Sequence, residues 1–236
     1  MFGKLVSFEE IYWGLRDTID KSVLLSQLLE RIYLTYCRAS DPLIKLIHSQ
    51  MEPGDVFYDI GAHTGSYSII LAKKVRSCLV YSFEPNPQSF ARLKRNVRLM
   101  RLDKEITAQN AALGEAVAEL QFFISSDSAR SSLHKFNASV RGNRIVNTVT
   151  VSCYSIDYLV EAGICKAPNI LKIDTEGHEY EVLLGARETI SNSHPQIFVE
   201  SHRISDTNNN RDKIKALLAQ SGYNFKEIGY PLWFYK

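Results

Sequence analysis

Two apolar runs that each lead to a carboxylate constrain this chain more than any other feature. The first, Val56-Phe57-Tyr58-Asp59-Ile60, passes directly into Gly61-Ala62-His63-Thr64-Gly65. The second, Leu79-Val80-Tyr81-Ser82-Phe83, meets Glu84-Pro85. Short runs rich in aromatic and β-branched residues and closed by Gly or Pro read as buried strands. Ser66–Lys74 between them has the pattern of a short helix, residues 87–100 form a basic amphipathic helix, and residues 106–110 make a third strand. Strand, helix, strand at this rhythm predicts an α/β fold with a parallel sheet and right-handed crossovers. A chain of 236 residues is long enough for one such domain with a well-buried core.

The rest of the chain continues the pattern less regularly. Residues 118–124 and 148–153 read as strands flanking a long polar loop, 125–147. A loop of that length in a compact domain is functional or disordered. Helices are predicted over 155–162, 180–190 and 211–221, and strands over 169–174 and Gln196–Glu200. Residues 223–228 and Leu232–Tyr235 would form a terminal hairpin around Gly229-Tyr230-Pro231. Upstream, Asp41-Pro42 is an N-cap with proline at the first helical position, and Pro53-Gly54-Asp55 is a turn. Val23-Leu24-Leu25, Leu28-Leu29 and Ile32-Tyr33 recur at helical spacing, so residues 1–50 are expected to be a helical extension packed on a domain formed by 51–236.

Ligands of open α/β sheets bind beyond the carboxyl ends of the strands. Asp59 and Glu84 fall at two such ends, with Gly61 and Gly65 allowing close backbone approach. The spacing is G-x-x-x-G rather than G-x-G-x-x-G, and no P-loop lysine follows, which argues against dinucleotides and nucleoside triphosphates. An acid before the turn suits a cationic or neutral nucleoside, of which S-adenosylmethionine is the obvious cationic one. Glu84 would accept hydrogen bonds from the ribose diol. Asp59 would meet the ligand's ammonium or order the glycine turn, beside His63. Asn110 and Ala111, at the end of the third strand, would border the adenine.

A second cluster, Ile170-Leu171-Lys172-Ile173-Asp174-Thr175-Glu176-Gly177-His178-Glu179, places three carboxylates and a histidine at one strand mouth. Such groups shift one another's pKa unless a ligand, a metal or a proton resolves the conflict. Glu200, at the end of Ile197-Phe198-Val199-Glu200, and His202 are expected to converge there. In a methyl transfer, His178 would take the acceptor's proton, Asp174 would orient donor or acceptor, and Glu176 and Glu200 would bind acceptor hydroxyls. Glu176 and Glu200 also carry the oxygens that Mg²⁺ prefers, but spacing gives no ligand geometry and no metal is assigned.

Asp59-Ile60-Gly61-Ala62-His63-Thr64-Gly65, Phe83-Glu84-Pro85-Asn86-Pro87, Asn110-Ala111-Ala112-Leu113-Gly114, the Leu171–Glu179 stretch with Leu183-Leu184-Gly185-Ala186, and Pro195-Gln196-Ile197-Phe198-Val199-Glu200 resemble the FkbM-type methyltransferase family. The glycine motif is shared by many methyltransferases; Asp-x-Glu-Gly-His-Glu is much more specific. The resemblance covers roughly residues 55–200. It implies a class I, Rossmann-like fold: a mostly parallel seven-stranded sheet with helices on both faces and an antiparallel last strand. It also implies S-adenosylmethionine as cofactor and O-methylation of a hydroxyl on a saccharide or polyketide-type small molecule. By motif, Glu84 would hold the ribose, Gly61 and Gly65 the donor loop, and Asp174 the mouth of the acceptor site.

Acceptor choice should then reside outside the motifs, in residues 1–40 and loop 125–147. That loop carries Arg130, Lys135, Arg141 and Arg144 and would either close over an anionic or polyhydroxylated acceptor such as a glycan or stay solvated. A net charge of +2 gives no general case for nucleic acid or anionic membranes. Arg92, Lys94, Arg95, Arg98 and Arg101 are scattered around their helix, with few aromatic platforms, and read as a solvated face. No Asn/Asp-Pro-Pro-Tyr type motif is present. Cys37, Cys78, Cys153 and Cys165 form no Cys-x-x-Cys pair and read as reduced core residues. No apolar stretch is long enough to span a bilayer, and a cytoplasmic location is expected. The alternative to an enzyme is a non-catalytic S-adenosylmethionine-binding module used for assembly; the acidic cluster argues against it.

Overall fold

The computed structural model describes residues 41–140, 142–202, 210–229 and 232–236, so the expected helix around Val23–Tyr33 and Arg141 lie outside the described residues. The first described element, α1 (Pro42–Gln50), starts as predicted. Asp41 Oδ1 accepts from the backbone N–H of Leu43 and Ile44, and Pro42 opens the helix. Then come β1 (Val56–Ile60), α2 (Ser66–Lys74), β2 (Leu79–Phe83), α3 (Pro87–Leu99) and β3 (Ile106–Gln109). Downstream are β7 (Ile170–Ile173), β8 (Gln196–Glu200), β9 (Phe225–Gly229) and β10 (Leu232–Tyr235). They form one seven-stranded sheet in the order β3-β2-β1-β7-β8-β10-β9. The pairs β1–β2, β2–β3, β1–β7 and β7–β8 are parallel, and β10 runs antiparallel to both of its neighbours.

Strand periodicity divides the core between the two faces. Phe57, Val80, Ile170 and Phe198 pack on one side with Ile44, Ile69 and Leu93 from α1, α2 and α3. Tyr58, Tyr81, Leu171 and Ile197 pack on the other. There they meet Leu159 of α5 (Ile156–Glu161), Val182 of α6 (Glu179–Leu184), Ile190 of α7 (Arg187–Ser193) and Leu217 of α8 (Asn210–Gln220). Helices thus cover both faces. Cys78, Cys153 and Cys165 are free and buried.

Two local expectations are corrected. Residues 180–190 are two helices, α6 and α7, broken at Gly185-Ala186. The chain is pinned there: Gly185 O accepts from Asp157 N at 2.9 Å, and a Cβ on Gly185 would lie 2.0 Å from Gly114 O. Asp157, from a different helix, then caps α7 by accepting from Glu188 N and Thr189 N. The second correction concerns loop 125–147, which is largely structured. A 3-10 turn (Ser128–Arg130) and α4 (Lys135–Ser139) are followed by β6 (Ile145–Tyr154). β6 starts inside the supposed loop because Ile145 and Val146 point outward, 36% and 53% exposed, which hides the alternation. With β5 (Ala118–Ser125) and the two-residue β4 (Ala112–Leu113), β6 makes a second sheet, order β4-β6-β5.

The entry to α3 bears directly on the cleft described next. Asn86 caps it, accepting from Gln88 N at 3.0 Å and Ser89 N at 3.5 Å, while Asn86 N donates to Glu84 Oε1 at 2.8 Å. Asn86→Ala should cost about 1 kcal/mol, read as a fall of roughly 2–4 °C in melting temperature. No change in melting temperature would show that the cap bonds contribute nothing.

Candidate active site

Register brings Ser82, Asp59 and Lys172 side by side on β2, β1 and β7. All three are buried. Asp59 Oδ2 accepts from Ser68 N at 3.1 Å and Ser68 Oγ at 2.6 Å, and Asp59 Oδ1 faces Lys172 Nζ at 3.2 Å. The Lys172 ammonium also lies 3.6 Å from Asp174 Oδ2, 3.5 Å from Gly61 O and 4.7 Å from the centre of the Tyr67 ring. Burial alone would lower the lysine's pKa. Asp59 and Asp174 more than offset that, and the ammonium stays protonated above its ordinary range. Asp59 is fully buried and does not line the cleft described below. It anchors Lys172 and α2 beneath the site.

The glycine turn is set above this layer. Gly61, at φ +79°, comes so close to β7 that a Cβ would sit 1.8 Å from Asp174 O. Gly65 caps α2 at φ +88°, where a Cβ would press on Leu93. Both glycines thus serve backbone packing. Glu84, at the end of β2, accepts His63 N at 2.7 Å through Oε2 and Asn86 N through Oε1. Burial outweighs those donors and pushes the carboxyl up to about 7. Asn110 Nδ2 donates to Glu84 O at 2.8 Å and Pro85 O at 3.1 Å, bracing the β2 end from outside the cleft. His63 lines the cleft, and its Nε2 meets Ser128 Oγ at 3.1 Å.

The acidic cluster is organised by Glu179, which is fully buried. Its Oε1 accepts from Gly177 N at 2.8 Å and contacts His202 Nδ1 at 3.0 Å, so the loop after β7 folds around one carboxylate. His202 Nε2 stands 3.6 Å from Glu200 and 3.7 Å from Glu176. Burial opposes charge on this ring, but Glu179 and Glu200 push its pKa up to about 12, and the imidazolium holds Glu200 below the usual carboxylate range. Burial raises Glu176 to about 7 despite His202 and Arg130, whose Nη1 lies 3.9 Å away. Cations therefore offset much of the crowding foreseen from the sequence: Lys172, His202 and Arg130. His178 departs from its expected pKa near 6.5. Burial, then the neighbouring His134, lowers it to about 4, leaving a neutral ring and a weak base.

These elements enclose one cleft of about 1010 Å³, counting its open mouth. Glu84, Phe83, Ala111, Ala112 and Leu113 line it, as do Asp174, Glu176, His178 and Glu200. Phe122 and Leu133, from the second sheet and its loop, line it too. Among the residues singled out from sequence, Gly61, His63, Glu84, Ala111, Asp174, Glu176, His178 and Glu200 face this cleft. Asp59, Gly65, Asn110, Arg130 and His202 stand behind or beside it. The donor set fits S-adenosylmethionine: Glu84's backbone donors leave two of its four acceptor positions for a diol, apolar walls suit a purine, and Asp174, partly exposed at 30%, offers an anion to a cation.

Sequence reading missed two contributors. Lys172 interrupts an otherwise apolar strand, which is itself a signal, because a buried lysine needs a partner. His134 carried no signal of its own, because tertiary packing brings it to His178.

The sheet order is that of the class I, Rossmann-like methyltransferase fold. Residues 59–225 match the Methyltransferase FkbM domain, and the chain belongs to that family. It is 32% identical over 168 residues to the hexuronic acid methyltransferase AglP of Haloferax volcanii, covering 70% of this chain and 63% of that protein. It is 25% identical over 208 residues to the 31-O-demethyl-FK506 methyltransferase FkbM of Streptomyces tacrolimicus, 78% of each chain. A crystal structure of methyltransferase FkbM from Methylobacillus flagellatus KT shares the fold, with TM-score 0.56 and 18% identity over 79% of this chain and 44% of that one. Among the described residues, no helix is long and apolar enough to cross a membrane.

Proposed function

We propose that the protein is an S-adenosylmethionine-dependent O-methyltransferase acting on a hydroxyl of a saccharide, or of a glycosylated or polyketide-type small molecule. One observation carries the reading: a single cleft joins a ribose-type carboxylate, Glu84, to a rim of three carboxylates, Asp174, Glu176 and Glu200. The relatives that act on a hexuronic acid and on demethyl-FK506 support an oxygen-rich acceptor.

When bound, S-adenosylmethionine supplies an electrophilic methyl carbon. The chain's own residues provide the rest. Glu84 accepts the diol, and Phe83 and Leu113 keep water from the purine. Asp174, held in place by Lys172, faces the cationic end. Glu176 and Glu200 accept hydrogen bonds from a polyol, which turns one hydroxyl toward the donor. In this reading Glu176 or Asp174 takes that hydroxyl's proton.

The test is methyl transfer from labelled S-adenosylmethionine to a panel of glycans, uronic acids, macrolides and tRNA. Transfer to a hydroxylated small molecule is expected, with Glu176→Gln lowering kcat by roughly 10²–10⁴-fold and leaving donor affinity unchanged. Donor binding without transfer to any acceptor would favour the assembly module. Transfer to tRNA alone would overturn the acceptor class.

A further inference from the structure

Beside the cleft, two histidines and a glutamate converge in a way the methyl-transfer reading does not use. His178 Nδ1 lies 3.4 Å from His134 Nε2 and 3.6 Å from Glu181 Oε2. All three ligand atoms fall within 4.8 Å of one another. We propose that His134, His178 and Glu181 bind a divalent transition-metal ion of the zinc class, which clasps the segment after β5 to the start of α6.

The distances suit ligands of one ion: the two ring nitrogens stand 3.4 Å apart. Zinc bonds to imidazole and carboxylate run about 2.0–2.2 Å, so neighbouring ligand atoms in a tetrahedron stand about 3.4 Å apart. Two imidazoles and one carboxylate form a donor set that zinc accepts while keeping a position for water.

The carboxylate supplies an independent observation. Glu181 Oε2 is shielded from water and finds no hydrogen-bond partner among the described residues. A buried acceptor left without a donor is costly, and a cation at this point would satisfy it.

The ligands are also held in advance. His178 and Glu181 stand three residues apart at the start of α6, on one face. His134 N donates to Ser132 Oγ at 2.9 Å, and Ser132 Oγ donates to Glu176 O at 2.7 Å, which docks the His134 segment on the loop carrying His178. The ion would therefore join two segments that both reach the cleft wall, at little ordering cost.

The test uses the full chain, free of any polyhistidine tag and treated with chelator, titrated with Zn²⁺ by calorimetry and with Co²⁺ by visible absorption. One equivalent is expected, with the intense visible bands of low-coordinate Co²⁺ and a higher melting temperature. His134→Ala and the more conservative Glu181→Gln should each weaken binding by more than the roughly 10–100-fold that loss of an outer-shell partner costs. No binding by the folded wild type, or binding that persists in both variants, would overturn the site.

Discussion

Replacing Lys172 by methionine is expected to destabilise the protein by about 3–5 kcal/mol, the cost of removing one partner from a buried ion pair. The magnitude follows from what remains. Asp59 is fully buried, and its Oδ1 has Lys172 as its ionic partner at 3.2 Å. Without the ammonium, a carboxylate in the centre of the sheet must protonate or break its bonds to Ser68. Asp174, 3.6 Å from the same ammonium, would lose its tether at the cleft mouth. The double variant Asp59→Asn/Lys172→Met should recover most of the stability, because it removes both charges together. Urea unfolding of the single and double variants measures the difference. A single-variant loss below about 1 kcal/mol, or no recovery in the double, would show that the pair does not hold the sheet centre.

Glu84 should give the second large effect, through pH. Burial raises its carboxyl from an ordinary 4.5 to about 7. A raised folded-state pKa means that its proton stabilises the fold. That contribution is complete below the unfolded value and is lost as pH rises through about 7. The free protein should therefore be more stable at pH 5.5 than at pH 8, by up to about 2 kcal/mol from this group. Donor affinity should run the opposite way, because only the carboxylate accepts both hydrogen bonds of a diol. Affinity for S-adenosylhomocysteine should rise about tenfold from pH 6 to pH 8. Glu84→Gln should flatten the affinity profile and reduce the stability slope, leaving the share that belongs to Glu176. Parallel slopes in the variant would assign the pH dependence to other groups.

Much of this was legible from residue order, for physical reasons that differ by element. The strands β1, β2, β7 and β8 are buried on both faces, so each shows as a short apolar run. Gly61 and Gly65 need positive φ, and the caps Asp41 and Asn86 stand before proline; all mark themselves locally. The hairpin of β9 and β10 showed in its turn residues, whereas the seven-strand total and the antiparallel place of the last strand in the sheet came only from family resemblance. The division of labour among the carboxylates was not legible, because side-chain identity does not say which acid register will place beside Lys172. Asp59 and Glu84 look alike in sequence, yet one neutralises a buried lysine and the other faces the cleft. The second sheet was partly hidden because Ile145 and Val146 turn apolar side chains outward. The lowered pKa of His178 was not legible, because it comes from burial and then from His134, 44 residues away.

The account rests on one cleft binding a cationic nucleoside through Glu84. Calorimetric titration with S-adenosylhomocysteine, on the wild type and on Glu84→Ala, tests that most directly. Micromolar binding is predicted in the wild type, weakened by about 1.5–3 kcal/mol in the variant, as loss of charged hydrogen bonds requires. A folded wild type that does not bind S-adenosylhomocysteine would contradict the account.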